Sequence, residues 1–299
     1  MKASLGGRVR AWFDRRRQVV GINRRNVELV YPHNPRKFYP IADDKLRTKE
    51  VLRALAVPVP ATLAVCDGLF AVPTTLQALA ALDNFVVKPS QGSGGDGILV
   101  LGERVGAGRW RRVGSDALVD ADMLRTHLAQ TVFGAFCKQM EDRAFVEPRI
   151  EPAEPYRSLW PDGLCDVRVI VLRGRAVMAM VRVPTKRSGG RANLHQGGLG
   201  IGIDLQTGRT VTALSRGQRL THHPESGFAL LGLELPDWPT YLEIAERTAR
   251  ATPLGYLGVD IAVDRAQGPL VLEINARPGL EIQNVLGVGF AEMARRSGA

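Results

Sequence analysis

Gly258-Val-Asp-Ile-Ala-Val-Asp264 and, after a short turn, Pro269-Leu-Val-Leu-Glu-Ile-Asn-Ala-Arg-Pro-Gly279 are the stretch that decides how this chain is read. Both runs are rich in Val, Ile and Leu at strand length, and the residues between Asp264 and Gly268 read as the turn of a hairpin. Alternate residues of a strand share a face. Glu273 and Asn275 therefore point one way, while Leu272 and Ile274 point the other way, into a core. Asp260 lies on the partner strand, so two carboxylates and an amide oxygen gather on one surface. Like charges side by side repel unless a cation joins them, and an oxygen-only set suits Mg2+. The plainer alternative is a solvated polar face.

Upstream, Phe85-Val-Val-Lys-Pro-Ser-Gln-Gly-Ser-Gly-Gly-Asp-Gly-Ile-Leu-Val-Leu101 places two β-rich runs around a turn holding Gly92, Gly94, Gly95 and Gly97. Glycines let a backbone approach a ligand closely and aim successive N–H groups at it, which suits phosphate oxygens. Lys88 interrupts the first apolar run and wants an anionic partner. A plain hairpin with a glycine turn is the competing reading. The stretch is neither a Walker A loop nor a dinucleotide fingerprint, because a strand rather than a helix follows the glycines. A third constellation is basic: Asp166-Val-Arg168, and Arg191-Ala-Asn-Leu-His195-Gln-Gly-Gly198. Arginine offers a planar fork of donors for phosphate and carboxylate. Surface charge explains Arg187 well but Arg168, in an apolar strand, less well. His195 reads as a structural or substrate-lining side chain rather than a proton carrier.

Around these motifs the pattern predicts helices at 43–55, capped by Asp43 or Asp44, and at 75–83, 116–131 and 239–251, the last clear amphipathic one before the end region. Strands are predicted at 85–88, 97–102, 145–150, 166–172, 176–183, 258–263 and 269–274, with loops over 151–164 and 185–200. Hairpins mixed with helices indicate an α+β layout rather than alternating βαβ units. The expected organisation is a basic arm at 1–42, with a helix and then a connector, a glycine-loop subdomain at 43–145, and a subdomain at 146–299 that carries the Mg2+ site.

The 299 residues are 45% hydrophobic, enough for a sizeable core. Cys66, Cys137 and Cys165 lie far apart, which argues against a disulfide framework or zinc site and fits a reducing cytoplasm. No run is long and apolar enough for a membrane span, and the arginine-bearing N-terminus lacks the apolar region of a secretory signal. The net charge of +10 is concentrated: residues 1–50 hold 13 Lys/Arg against 5 Asp/Glu. Such an arm either docks an anionic partner (a polyacid, nucleic acid or lipid surface) or is a solvated helix or tail, the commoner case. There is no DNA-binding motif and no aromatic–basic interleaving of the RNA-binding kind.

Together the motifs resemble the ATP-grasp superfamily, and within it RimK-type alpha-L-glutamate ligases and the alpha-L-glutamate ligase-like proteins, from Asp44 almost to Gly279. The resemblance implies an ATP-grasp fold, two α+β subdomains clamping ATP; the N-terminal region departs from the pattern, being short and reduced where the family has an N-terminal α/β domain before Lys45. It implies an enzyme that joins a carboxylate to an amine, using ATP and Mg2+ (or Mn2+) and an acyl phosphate, with an amino acid such as glutamate or a peptide as substrate. A homo-oligomer is compatible with it. By position, Lys45 and Lys88 match the phosphate-holding lysines, and Gln91, Gly92, Ser93, Gly94 and Gly95 the mobile loop. Phe145-Val-Glu-Pro-Arg-Ile150 matches the adenine linker, with Glu147 and Ile150 as its cofactor-binding residues. Arg168, Arg191 and Asn193 match the catalytic residues that stabilise phosphate and acyl phosphate. Asp260, Glu273 and Asn275 match the metal ligands, while His195 and Arg277 stand where substrate is contacted. The chain departs from the pattern at Glu147-Pro148, where relatives commonly show Gln-Glu, and in a longer 151–165 loop. The rival readings are a phosphotransferase acting on a hydroxyl and a non-catalytic nucleotide-binding adaptor.

Overall fold

Residues 256–264 are buried without a break, the mark of a strand covered on both faces. The computed structural model, which describes residues 18–137 and 141–299, shows what covers it. A seven-stranded antiparallel sheet runs in the order β11-β10-β9-β8-β7-β12-β13. Its members are β7 (Asp166–Leu172), β8 (Arg175–Val183), β9 (Leu199–Ile203), β10 (Thr210–Ser215), β11 (Gln218–Arg219), β12 (Tyr256–Asp264) and β13 (Gly268–Asn275). The period of two sorts β7 between two cores. Val167, Val169 and Val171 join Trp238, Tyr241 and Ile244 of the helix Trp238–Arg250 on one face. Ile170 and Leu172 join Leu29, Val30, Ile282 and Phe290 on the other.

The second sheet is six-stranded, in the order β1-β6-β2-β3-β4-β5, with β1 (Ala64–Cys66), β2 (Phe85–Pro89), β3 (Leu99–Gly106), β4 (Arg109–Arg112), β5 (Leu118–Asp120) and β6 (Ala144–Glu147). Phe85, Val87, Leu101 and Trp110 pack against Leu79, Leu124 and Leu128 of the helices Val72–Leu79 and Ala121–Val132. Val86, Lys88, Phe145 and Glu147 are thereby left on the opposite face.

The α+β layout and the central hairpins stand as expected, and the differences have local causes. The helix expected at 75–83 begins at Val72, because Pro73 sits in its first turn, where no N–H is needed. The helix expected at 116–131 is divided: Leu118–Asp120 pairs as β5, and the Asp120 carboxylate then caps Ala121–Val132 by accepting from Met123 N at 2.9 Å. The 239–251 helix is seen as Trp238–Arg250, and the end region beyond Gly279 adds the helices Glu281–Leu286 and Phe290–Ser297. Strands β9 to β11 were also unforeseen. In β9 a side chain at Gly200 or Gly202 would run into Val285 or Leu286, so these glycines seat the 281–286 helix on the sheet.

Of the basic arm, residues 1–17 lie outside the described residues, and the helix and connector are seen from Gln18 on. Ile22–Arg25, a π-helical Asn26–Val30 and Tyr31–His33 form one continuous helical run. It ends at Asn34, which is 1% exposed. The Asn34 amide donates to the carbonyls of Tyr256 and Ala276, both at 2.6 Å, and its oxygen accepts from Tyr256 N at 3.0 Å. One carboxamide thus ties the arm to the strands that carry the acidic residues. Asn34→Ala leaves up to three buried backbone groups unpaired and is expected to lower stability by roughly 2–4 kcal/mol, read as a fall in Tm with the far-ultraviolet circular dichroism retained.

Candidate active site

Lys45 and Lys49 stand one helical turn apart at the start of Lys45–Ala54. Asp44, not Asp43, caps this helix: its carboxylate accepts from Arg47 N at 3.1 Å, from Ser90 Oγ at 2.5 Å and from Arg143 Nη2 at 2.7 Å. Lys45 N donates to Ser90 O at 2.9 Å. The helix start is therefore pinned to the strand end that leads into the glycine loop.

From that position Lys45 Nζ donates to the carbonyl of Gly92 and lies 3.7 Å from Glu273 Oε2. The glycine loop, the lysine and the acidic hairpin meet at one point. Lys49 and Lys88 converge on Glu147: each donates to one of its carboxylate oxygens, Lys88 at 2.5 Å. Glu147 is 3% exposed. Burial works against its ionisation, but Lys88 and Lys49 outweigh it and hold the carboxyl below its ordinary range. Burial pushes the Lys49 ammonium down. The Glu147 side chain is thus committed to two lysines. Further along the chain, Ile150 is half-buried.

On the other side, Asp260 pairs in register with Glu273 across the hairpin and with Arg168 across β7. Arg168 grips its two oxygens at 2.7 and 2.6 Å, and Arg182 adds a contact at 2.6 Å. Arg182 in turn holds Asp166 at 2.6 and 2.9 Å. The result is an alternating row, Asp166–Arg182–Asp260–Arg168, across three strands. Burial opposes the charge on Asp260, yet Arg168 and Arg182 prevail and hold it far below the ordinary carboxylate range. Burial, with Asp260 nearby, pushes Asp166 up to about 6 despite Arg182.

The glycine loop leans across onto the 191–196 loop. Gly94 and Gly95 take positive φ, +68° and +83°, which favours glycine. A Cβ on Gly95 would sit 3.3 Å from Arg191 Cδ, and one on Gly94 3.9 Å from Asn193 Nδ2. Arg191 Nη1 donates to Asp96 Oδ1 at 2.8 Å. Asn193 Oδ1 caps the following turn by accepting from His195 N at 3.0 Å. At the root of the loop, Gln91 N donates to Asp142 at 3.1 Å, while Ser93 is exposed. His195 approaches Gly279. Arg277 turns away from the acidic trio: its guanidinium lies 4.8 Å from the Tyr39 ring centroid and donates to Asp43 at 3.2 Å.

Two carboxylates and an amide oxygen are the kind of donors a hard divalent cation takes. As the side chains stand, the Asp260 oxygens accept from Arg168 and Arg182, and Asn275 turns its amide nitrogen toward Asp260 Oδ2, 3.4 Å away. Among the described residues no group of three or more His, Cys, Asp or Glu side chains is placed to hold a metal ion. Sequence reasoning assigned no role to Lys49, Arg182, Asp166 or Asp96. Lys49 carried a signal, one turn after Lys45, and Arg182 interrupts an apolar strand. Asp96 carried none, since its partner lies 95 positions away.

A family model described as sugar-transfer associated ATP-grasp matches residues 24–297. A probable alpha-L-glutamate ligase of Xanthomonas oryzae pv. oryzae is 29% identical over 266 residues, covering 88% of this chain and 66% of the relative. The ribosomal protein bS6–L-glutamate ligase of Escherichia coli is 26% identical over 265 residues, covering 87% and 65%. The chain thus spans just under two thirds of the length of these relatives. Among solved structures, D-cycloserine synthetase DcsG aligns at 16% identity and a TM-score of 0.48, covering 88% of this chain and 72% of that one.

Glu147→Gln is expected to destabilise the fold by roughly 3–5 kcal/mol at neutral pH, because it strands two lysines on a buried face. A depressed carboxyl contributes stability that is present above its unfolded value, about 4.3, and lost as pH falls through the lower folded value. The gap between wild type and variant should therefore be full at pH 7 and close in acid, measured by denaturant melts across pH.

Proposed function

Because the chain belongs to the sugar-transfer-associated ATP-grasp family, we propose that it is an ATP- and Mg2+-dependent ligase that activates a carboxylate as its acyl phosphate and joins it to an amine. The observation that carries this reading is the meeting of Lys45 with both Gly92 O and Glu273. One cation there touches the glycine loop and the candidate metal hairpin together.

In this reading Asp260, Glu273 and Asn275 hold Mg2+, which neutralises phosphate charge when bound. The chain's own side chains do the rest. Lys45, Lys88 and Arg168 bind the anionic oxygens of the nucleotide, and each exchanges a carboxylate partner for phosphate. The backbone of 147–150 holds the base. Arg191, with Asn193, stabilises the oxyanion formed as the amine attacks; loss of one such placed donor costs roughly 10²–10³ in rate. The 91–95 loop excludes water, because an acyl phosphate left wet would hydrolyse. His195 and, further out, Arg277 face the acceptor. Glutamate, free or peptide-linked, is the first candidate substrate from the two curated relatives, and a sugar-bearing acceptor is the candidate drawn from the family's description.

The test is purified protein with MgATP and a panel of amino acids, peptides and amino or acidic sugars, read by ADP release and product mass. A ligase adds the mass of the joined unit less water and frees phosphate. A product heavier by a phosphoryl group alone would make it a phosphotransferase, and no ADP with any acceptor would favour an adaptor. Glu273→Ala is expected to lose at least about 10²-fold in ADP formation with an unchanged melt. It should also lose the extra rise in Tm that Mg2+ adds to ADP in wild type. Normal turnover with the Mg2+ increment intact would remove the metal assignment.

A further inference from the structure

The helical run 22–33 buries one side and leaves the other uncovered. Leu29 and Val30 are 8% and 1% exposed against the large sheet. On the outer side Ile22 is 67% exposed, Val27 64% and Tyr31 56%, and Val19 just before the run is 49% exposed. Isolated exposed apolar side chains are ordinary, but these four fall within thirteen residues. Ile22, Val27 and Tyr31 come on successive turns of the helical run, whose α part closes from Asn26 N back to Ile22 O and whose π part closes from Tyr31 N back to Asn26 O, and they leave an exposed apolar stripe on it.

We propose that this stripe is a membrane-docking surface that inserts into the interface of an anionic lipid bilayer. Charge complementarity selects the occupant. Residues 1–37 hold ten Lys/Arg against two acids, Asp14 and Glu28; Glu28 is paired with Arg24, and Arg36 and Lys37 are exposed beyond the stripe. Apolar side chains on one face with a basic surplus around them describe a helix that lies in the headgroup region, where anionic lipids attract Lys and Arg. No helix among the described residues is long and apolar enough to cross a membrane, so this contact is peripheral. A second copy would bring two basic arms together, which repel. Nucleic acid would use the arginines but gives no role to exposed Ile22 and Val27. None of the stripe residues belongs to the proposed catalytic site, so the surface and the ligase reading stand or fall separately.

The experiment is co-sedimentation of the full chain with vesicles of phosphatidylglycerol and phosphatidylcholine, or of phosphatidylcholine alone, at low and high salt. Wild type is expected to bind the anionic vesicles, to release with salt, and to ignore the zwitterionic ones. Ile22→Ser/Val27→Ser/Tyr31→Ser should weaken vesicle binding by roughly tenfold or more while the melt stays unchanged; if the triple variant melts early, the single Ile22→Ser is expected to weaken binding in the same direction. Wild-type binding by the variants, or no vesicle binding by wild type, would overturn the proposal. So would a wild-type dimer that the triple variant dissolves, or binding to nucleic acid that vesicles do not compete.

Discussion

Asp260 is held as an anion at 1% exposure by two guanidinium groups, and the candidate site is arranged around that fact. An isolated buried carboxylate would take up a proton instead. Here strand register supplies the countercharges: Arg168 stands opposite on β7, and Arg182 reaches over from β8, kept in place by Asp166. Such a row adds little net stability, because desolvation offsets most of the attraction. What it provides is position and protonation state. Asp260 stays charged and aimed beside Glu273 and Asn275, the condition for sharing a cation.

The same logic recurs on the other sheet, where Glu147 lies buried between Lys49 and Lys88. Taken together, each cation assigned to phosphate or acyl phosphate rests on a carboxylate: Lys45 near Glu273, Lys88 on Glu147, Arg168 on Asp260 and Arg191 on Asp96. The candidate site is neutralised internally. In the ligase reading a polyanion entering it would exchange partners with these groups rather than meet bare charge, so selectivity would come from geometry and not from attraction alone. Asp96–Arg191, the most exposed of these four pairs, is the one that spans the two loops.

Much of this was legible in the sequence because it depends on local periodicity. Asp260, Glu273 and Asn275 follow from the two-residue period of a hairpin, Lys88 from a charge in an apolar strand, and the α+β class from adjacent hairpins. What escaped depends on distant partners. Glu147 reads as a linker residue until β2 and β6 pair and bring Lys88 to it. Asp166 and Arg182 carry no mutual signal, although they face each other in the β7–β8 register. Gly200 and Gly202 look like breakers of a strand, and only the 281–286 helix packed on them explains their absence of side chains.

The N-terminal run joins these levels. Its inner side completes a core that includes Ile170 and Tyr256 on the very sheet face that, further along, turns charged at Arg168 and Asp260. Asn34 then bonds to Tyr256 and Ala276, the residues four before Asp260 and one after Asn275. Beside it Gly255 N donates to His33 O at 2.8 Å, and Arg25 donates to the carbonyls of Arg277 and Pro278. The arm is thus bonded at several points to the strands that carry the acidic trio and to the loop that follows them, which makes it a structural edge of the candidate site.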